Sequence, residues 1–406
     1  MKKFTLILIA IFCFTSLNIF SQTKKDSLNK KDKVKTGWNF GALPAVSFNT
    51  DRGFQYGGIL NLYNYGDGKI YPKYYHSICT EISRTTKGGG VNQIFYDSEH
   101  LFKNVRVTSV LSFLTEKALD FYGFNGYEVR YNSKWEDDSE QNKLDGNYKS
   151  RVFYRHERKM VRFLTDFQGS LSGKKLRWIA GLGFYNFDIG TVDIDKLNKG
   201  KSDDDKLPDI DLLYDKYVDW GIISDKEKDG GSIYSAKLGL IYDTRDNEPN
   251  PMKGIWTEAI INTAPSFLGN NDFAYTKLSL IHRQYFTLIK DKLSFVYRLG
   301  YQGTISGHAP FYIQPYMISS FNKYTITDGL GGARTLRGIL RNRVVGDGIT
   351  YGNFEFRWKF YKTYIWRQNI YLAFNAFADA GKVVKDIDFD KDEAINIATQ
   401  EDPDFN

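Results

Sequence analysis

Cysteine is almost absent from this chain of 406 residues, which holds only Cys13 and Cys79. Cys13 lies inside an apolar N-terminal run and is followed by Phe14, a context unlike that of a lipid-attachment cysteine. If that run is removed, Cys79 is the only thiol left in the mature chain. A disulfide framework, a cysteine metal site and a redox pair within one mature chain are therefore excluded.

Long apolar runs are also scarce. One extends over residues 4–20, after a start with two lysines and before Ser21-Gln22. A basic start, a short apolar core and a small residue at the cut predict a secretory signal peptide over residues 1–21. The alternative is an uncleaved membrane anchor. Residues 22–36 would then form a short periplasmic leader, with only about fifteen residues before the first predicted strand, far below the size of a folded domain.

Groups that carry chemistry are sparse as well. The five histidines show no pairing at metal or catalytic spacing. The acidic run 201–215 could suggest a calcium loop, but it lacks the glycine turn and terminal glutamate of such loops, so a solvated surface loop is preferred. The formal net charge of +7 is modest and spread along the chain. It does not form the clustered basic patch that is typical of nucleic-acid-binding proteins. The sequence thus predicts no enzyme, no metal site, no cofactor and no nucleic-acid partner.

Aromatic residues, by contrast, are abundant at 16%, and apolar residues recur at every second position. The mean hydropathy of −0.44 and the charged fraction of 25% are values typical of a soluble protein. A membrane barrel gives the same average, because its lumen-facing positions are polar. The alternation predicts an all-β fold, a transmembrane antiparallel β-barrel over residues 37–406, with about fourteen strands between Trp38 and Gly381.

The predicted connections differ in length between the two ends of the barrel. Short turns are predicted at 65–68 and 289–292, and long loops at 117–147, 190–230 and 306–348. Short turns at one rim and long loops at the other are typical of outer-membrane barrels. Pro44 lies inside the first predicted strand, where it cannot donate a ladder hydrogen bond. It indicates either a weak seam between first and last strands or a single unpaired position at a rim.

The segment 331–338 places an arginine among glycines just before two alternating strands, 351–360 and 369–381. Glycines let such a loop fold back into a lumen. By parity, Glu355 and Asp379 share the polar face of neighbouring strands. A planar guanidinium can bridge two carboxylates. The spacing fits an internal latch formed by Arg337, and it equally fits an arginine in an exposed loop above acids that merely line a pore.

The same segment resembles the glycine-rich sixth extracellular loop of the BamA/TamA (bacterial surface antigen) barrel family, with Gly331, Gly332, Leu336, Arg337 and Gly338 at the motif positions. The resemblance implies that Arg337 reaches into the lumen and meets an acid on each of the next two strands. It assigns those roles to Glu355 and Asp379. Ile339 stands where the family commonly has an aromatic residue.

A second stretch is similar to the family's aspartate-threonine-arginine strand end and its following turn, through Asp243, Arg245, Asp246 and Gly254. The resemblance implies a sixteen-stranded barrel, so the chain is expected to end two strands short, through truncation, a partner or an unusual closure. An open edge is costly in lipid. Family members usually carry periplasmic repeats that capture clients, and the short leader argues against client capture by this chain alone.

The resemblance implies a protein of the bacterial outer membrane that aids insertion or assembly of other outer-membrane proteins, or a subunit of such a machine. Its expected partners are outer-membrane lipid and other outer-membrane or periplasmic assembly proteins. A passive pore plugged by the arginine loop and a surface-exposed interaction scaffold remain as alternatives.

Overall fold

The computed structural model describes residues 34–49, 52–173, 175–248, 250–321, 327–365 and 368–401. The predicted signal peptide at 1–21 and most of the predicted leader at 22–36 lie outside these residues. Fourteen strands form one sheet: β1 (Trp38–Pro44), β2 (Ser47–Asn49), β3 (Gly53–Asn64), β4 (His76–Thr85), β5 (Gly90–Phe102), β6 (Val105–Asp120), β7 (Arg155–Ser172), β8 (Leu176–Gly190), β9 (Gly230–Asp243), β10 (Gly254–Ala264), β11 (Tyr275–Ile289), β12 (Leu293–Gly307), β13 (Gly348–Ile365) and β14 (Gln368–Lys385).

Every ladder in the sheet is antiparallel and joins strands that follow one another in the chain, with β2 pairing β3 beside β1. This meander confirms the predicted fold class. Among the described residues, no ladder joins β1 to β14. Over the part of the chain that the structure describes, the sheet therefore has an edge at β1 and β2 and another at β14.

The alternation over residues 38–49 predicts one continuous first strand, and the structure differs from this prediction. The segment divides into β1 and β2, although both keep the same register against β3, with Pro44 opposite Gly58 and Ser47 opposite Gln55. Proline has no N–H to give to the ladder. The sheet is thus thirteen ladder positions wide, because β1 and β2 occupy one position.

The two faces of the sheet are inverted relative to those of a soluble protein. Arg158, Arg162 and Asp166 on β7 are at most 3% exposed, whereas Phe163 between them is 43% exposed and Leu182 on β8 is 59% exposed. Successive side chains on a strand point to opposite faces. Charged residues therefore face the concave interior and apolar residues cover the outside, as expected in lipid.

The sheet curls around its interior. Arg337 and Arg341, four residues apart, bond carboxylates on β13 and β14 and on β6, respectively. In a flat sheet, β6 and β14 would lie roughly 38 Å apart, at about 4.8 Å per strand. Four residues of extended chain span at most about 14 Å. Only a strongly curved sheet brings both acids within reach of one loop, which supports the barrel shape.

Helices are short and lie outside the sheet: α1 (Glu140–Leu144), α2 (Ile194–Asn198), α3 (Leu213–Asp219) and α4 (Lys391–Glu401). Single 3₁₀ turns occur at Gly126–Glu128, Ser133–Trp135, Asp203–Asp205, Ser266–Leu268 and Phe311–Ile313. Within the described ranges, no helix has the length and apolar character needed to cross a bilayer.

Two boundaries differ from the sequence predictions. The connection between β3 and β4 occupies residues 65–75 and is not the tight turn predicted at 65–68. β14 continues four residues past Gly381, because β13 extends alongside it and pairs Gly348 with Lys385. The acidic segment after β14, which shows weak patterning in the sequence, contains α4. Strand ends depend on the partner strand, which local alternation does not reveal.

Candidate functional site

Two described segments of the connection between β12 and β13, residues 308–321 and 327–347, run inside the curved sheet. We call them the lumen loop, with 308–321 as its first half and 327–347 as its returning half. Inward side chains of several strands donate hydrogen bonds to its backbone carbonyl groups. These bonds are Gln302 to Tyr316 (2.6 Å), Ser279 to Ile318 (2.9 Å), Lys237 to Ser319 (3.1 Å) and Gln168 to Ser320 (3.4 Å). The donors lie on β12, β11, β9 and β7, so the loop crosses the sheet from within. A buried loop needs such partners, since unpaired backbone groups are costly.

Arg337 lies on the returning half of the lumen loop, and its guanidinium bridges an acid on β13 and an acid on β14; we call this arrangement the fork. Its Nε and Nη2 donate to the two Asp379 carboxylate oxygens, each at 2.7 Å. Its Nη1 donates to Glu355 Oε1 at 2.5 Å, and its backbone N–H donates to Asp379 at 2.9 Å. The guanidinium also lies 3.7 Å from the ring centroid of Phe377. The structure thus brings the three residues of the predicted latch together.

The glycines and Leu336 set the conformation that presents Arg337. Gly331 has φ of 142°, and a Cβ there would collide with the carbonyl oxygen of Leu340. Thr335, fully buried, accepts the Gly331 N–H at 2.8 Å through its hydroxyl. Leu336 is 3% exposed and packs with Leu330, Val344, Ile349 and Tyr351. The returning half is therefore a packed unit, with Gly332 and Gly338 also at positive φ.

A second arginine of the lumen loop, Arg341, points to the opposite side of the interior. Its Nη1 and Nε bond Glu116 at 2.6 Å and Asp120 at 2.7 Å. Arg158 on β7 also bonds Glu116, at 2.5 Å, and Arg155 bonds Asp120 at 3.1 Å. All five side chains are largely buried. Removing one partner from such a network leaves an uncompensated buried charge.

Sequence reasoning missed this network. Glu116 continues the polar parity of β6, which is a visible signal for an inward-facing acid, whereas Asp120 lies beyond a register shift after Glu116. Nothing in the local pattern links them to an arginine more than two hundred positions later. Their partner is decided by the curvature of the sheet and the path of the lumen loop.

The strand-end motif closes the hairpin of β9 and β10. Arg245 donates to both carboxylate oxygens of Asp243, at 3.0 and 3.1 Å, and stacks over Trp256 at 4.2 Å. Asp246 accepts the backbone N–H of Met252 at 3.0 Å. Gly254 has φ of 107°, and a Cβ there would collide with the Thr244 carbonyl oxygen. These contacts fix the turn, and they lie among residues 243–256.

Aromatic side chains close the end of the interior that carries the long connections, and we call this cluster the aromatic cap. Most of its aromatic members come from residues 121–154, residues 191–229 and the first half of the lumen loop, and strand residues such as Phe187 and Tyr275 join them. They include Phe121, Tyr122, Phe153, Tyr154, Tyr214, Tyr217, Trp220, Phe311, Tyr312 and Tyr316. Ile387 and Ala394 of the C-terminal segment pack on the same cluster. The polar interior expected from the sequence therefore needs correction at this end, where aromatic rings pack against one another.

One ion pair ties parts of the aromatic cap together. His308 Nε2 lies 3.7 Å from Glu227 Oε1, and the Phe311 N–H donates to the same oxygen at 3.0 Å. The hydrogen bond to Glu227 raises the pKa of His308 above its ordinary value of 6.5. Burial alone would raise the pKa of Glu227, but hydrogen bonds from His308, Phe311 and Ser224 outweigh it and lower that pKa.

The first part of the acidic run 201–215 is a surface loop in which Asp203–Asp205 form a 3₁₀ turn. Its last residues differ from the predicted solvated loop, because they begin α3, where Leu213 is 2% exposed. Ser202 donates to Asp205 at 2.8 Å, and Lys206 donates to Asp203 at 2.6 Å. Over the residues that the structure describes, no three His, Cys, Asp or Glu side chains converge in a way that could hold a metal ion.

Solved structures that are similar to this chain include proteins from two bacteria. BamA from Haemophilus ducreyi lacking POTRA domains 1–3 matches with a TM-score of 0.50 and 12% identity, over 92% of this chain and 61% of that chain. CdiB from Escherichia coli matches with a TM-score of 0.44 and 10% identity, over 80% and 48%. This chain thus spans less than two thirds of either protein chain. No curated protein matches it.

The family assignment comes from a sequence model of the Omp85 superfamily domain, which matches residues 111–398. The matched region runs from the middle of β6 to α4. It contains Arg337, Glu355, Asp379, the strand-end motif and the Arg341 network. It covers well over half of the chain, and the observed antiparallel sheet agrees with it. This chain belongs to the Omp85 superfamily of outer-membrane β-barrel proteins.

Proposed function

We propose that this protein aids the insertion or assembly of other β-barrel proteins in the outer membrane, alone or as a subunit of a larger machine. The observation that carries the proposal is the fork of Arg337 on Glu355 and Asp379, which holds the edge strand β14 against β13 from inside the sheet. The proposed role is mechanical and requires no catalytic group or cofactor. Its partners would be outer-membrane lipid and other assembly proteins.

The edge beside the fork offers a template for an incoming strand. β14 pairs with β13 along its length, and among the described residues no strand pairs its other side. Unpaired N–H and C=O groups are costly in lipid, and a strand edge pairs readily with another chain. Because Asp379 lies on β14, the lumen loop can set the position of that edge.

Closure of the interior argues against a passive pore. The aromatic cap packs over one end, and the lumen loop is bonded to strands on both sides of the interior. A pore plugged by the loop would conduct widely once residues 329–342 were deleted, and its loss would impair solute uptake. We expect instead that the deletion variant loses its folded state, because it loses both arginine networks. Planar-bilayer conductance together with a folded-state gel shift separates the two outcomes.

Depletion of the protein in its native cell, followed by outer-membrane proteomics, tests the proposed role. We expect a broad decrease in other barrel proteins, restored by the wild-type gene and by Arg151→Ala, a change at an exposed arginine in a long connection. Arg337→Ala should restore them poorly at equal abundance. Loss of one solute's uptake with an unchanged set of barrel proteins would refute the role.

A further inference from the structure

Two arginines face each other directly across the ladder of β11 and β12. Arg283 and Arg298 are register partners, and both point into the interior. Like charges directly opposite each other on paired strands repel. Among the residues that the structure describes, neither guanidinium forms an ion pair with a carboxylate, and Arg283 Nε is buried without a hydrogen-bond acceptor.

Neutral groups hold both side chains in place. Arg298 Nε donates to Asn353 Oδ1 at 2.8 Å, and its Nη2 donates to the Arg334 carbonyl oxygen at 2.6 Å. Its guanidinium lies 5.0 Å from the Tyr351 ring centroid, and that of Arg283 lies 5.1 Å from the ring of Phe321. Two hydrogen bonds and a ring therefore hold Arg298, and a ring holds Arg283, but none of these neutral groups balances the positive charges.

Both arginines line a cavity of about 250 Å³ between the lumen loop and the strands β11–β13. Arg334, Arg337 and Arg357 also line it, and Glu355 is the one acid among the described residues that line it. Glu355 already bonds Arg337 at 2.5 Å and Arg357 at 2.6 Å. The volume far exceeds the roughly 10–15 Å³ that one water requires. The cavity thus combines room, several guanidinium groups and a carboxylate that is already engaged.

We propose that this cavity binds a phosphate-type dianion, held between Arg283 and Arg298. A phosphate group carries about −1.5 to −2 charges at pH 7 and three acceptor oxygens, which matches two cations that lack an acidic partner. A carboxylate ligand would neutralise only one of them. Guanidinium groups bond such oxygens in pairs. The ligand is either a free phosphate or the headgroup of a phosphate-bearing lipid, and the inference does not depend on the proposed function.

Phosphorus NMR and titration calorimetry of the full chain test the site in two arms. In a neutral detergent at pH 8 and low salt, inorganic phosphate should bind with a stoichiometry near one. In vesicles of phosphatidylcholine, phosphatidic acid should be retained by the protein more strongly than the neutral lipid. Arg283→Gln and Arg298→Gln should each weaken binding at least tenfold. Arg151→Gln, an equal charge change at an exposed position, should leave it unchanged.

The two arms identify the source of the phosphate. Binding of inorganic phosphate in detergent points to a free anion, and binding in the vesicle arm alone points to a lipid headgroup. Either result, if both substitutions weaken it, supports the site. Absence of binding in both arms overturns the proposal, and so does binding that both variants retain. Two separate variants, each checked for its folded-state gel shift, guard against a loss caused by misfolding of one.

Discussion

Arg337 and Arg341 lie four residues apart on the lumen loop, yet they bond carboxylates on opposite sides of the interior. Arg337 reaches Asp379 on β14 at 2.7 Å, and Arg341 reaches Asp120 at the end of β6 at 2.7 Å. The lumen loop thus connects the last strands to the middle of the sheet through two buried ion pairs. Displacing either end would leave charged groups in the interior without partners.

Arg337→Ala should lower the free energy of unfolding by about 3 kcal/mol, because it leaves the buried carboxylate of Asp379 without its cation. Arg337→Lys should recover only part of the loss, since an ammonium group cannot form the fork. The urea midpoint of the folded-state gel shift measures the effect. Arg151→Ala is the control, and its exposed ion pair is worth at most about 1 kcal/mol. An unchanged midpoint for Arg337→Ala would show that the latch interpretation is wrong.

A double-mutant cycle on Arg341 and Asp120 should give a coupling energy of about 2–3 kcal/mol, near the upper end of measured values. Both side chains are at most 5% exposed. The matched cycle on Arg151 and Asp138, whose side chains are 46% and 44% exposed, should give less than about 1 kcal/mol. Equal couplings in the two cycles would mean that the buried network does not hold the lumen loop.

Gly331→Ala should destabilise the lumen loop more than Gly338→Ala. Both glycines have positive φ, so both variants pay the cost of a left-handed backbone, roughly 1–2 kcal/mol. Only at Gly331 does the added Cβ meet a backbone atom, whereas nothing lies within 4 Å of a Cβ at Gly338. Limited proteolysis of the loop and the urea midpoint should rank the two variants in this order. The reverse order would contradict the packed conformation of the loop.

The amide hydrogens of the aromatic cap near His308 should exchange faster as the pH rises above neutrality. Because the pKa of His308 is raised, its charged form stabilises the folded state. This stabilisation is full below the unfolded pKa of 6.5 and is lost as the pH rises through the folded pKa. The lowered pKa of Glu227 also stabilises the folded state. This stabilisation is full above the unfolded pKa of 4.5 and is lost as the pH falls through the folded pKa. Asp347 and Asp388 also favour the charged imidazole. The pair is therefore strongest between these two unfolded values.

Hydrogen exchange of residues 308–313, corrected for intrinsic rates, measures this effect. Exchange should be slower at pH 5.5 than at pH 8 in the wild type. His308→Gln should remove most of the difference, because glutamine does not titrate. A pH dependence that survives this substitution would assign the effect to other groups.

Much of the fold could be predicted from the sequence because side-chain direction in a strand is a local property. Alternation alone identified the strand that contains Phe354 and Glu355, and it placed Glu355 and Asp379 on the polar face. The count of about fourteen strands agrees with the sheet. The exact strand ends did not follow from the pattern, as β14 and the connection at 65–75 show, since they depend on pairing with neighbours.

The sequence by itself determined which face of each strand is polar, and its resemblance to a known family pointed to Arg337 and its two acids. Only the tertiary structure decided that Arg341 meets Glu116 and Asp120, that Arg283 faces Arg298, and that distant connections build one aromatic cap. Each of these contacts joins residues that are far apart in the chain. Their proximity results from sheet register, curvature and the path of the lumen loop, which no local pattern encodes.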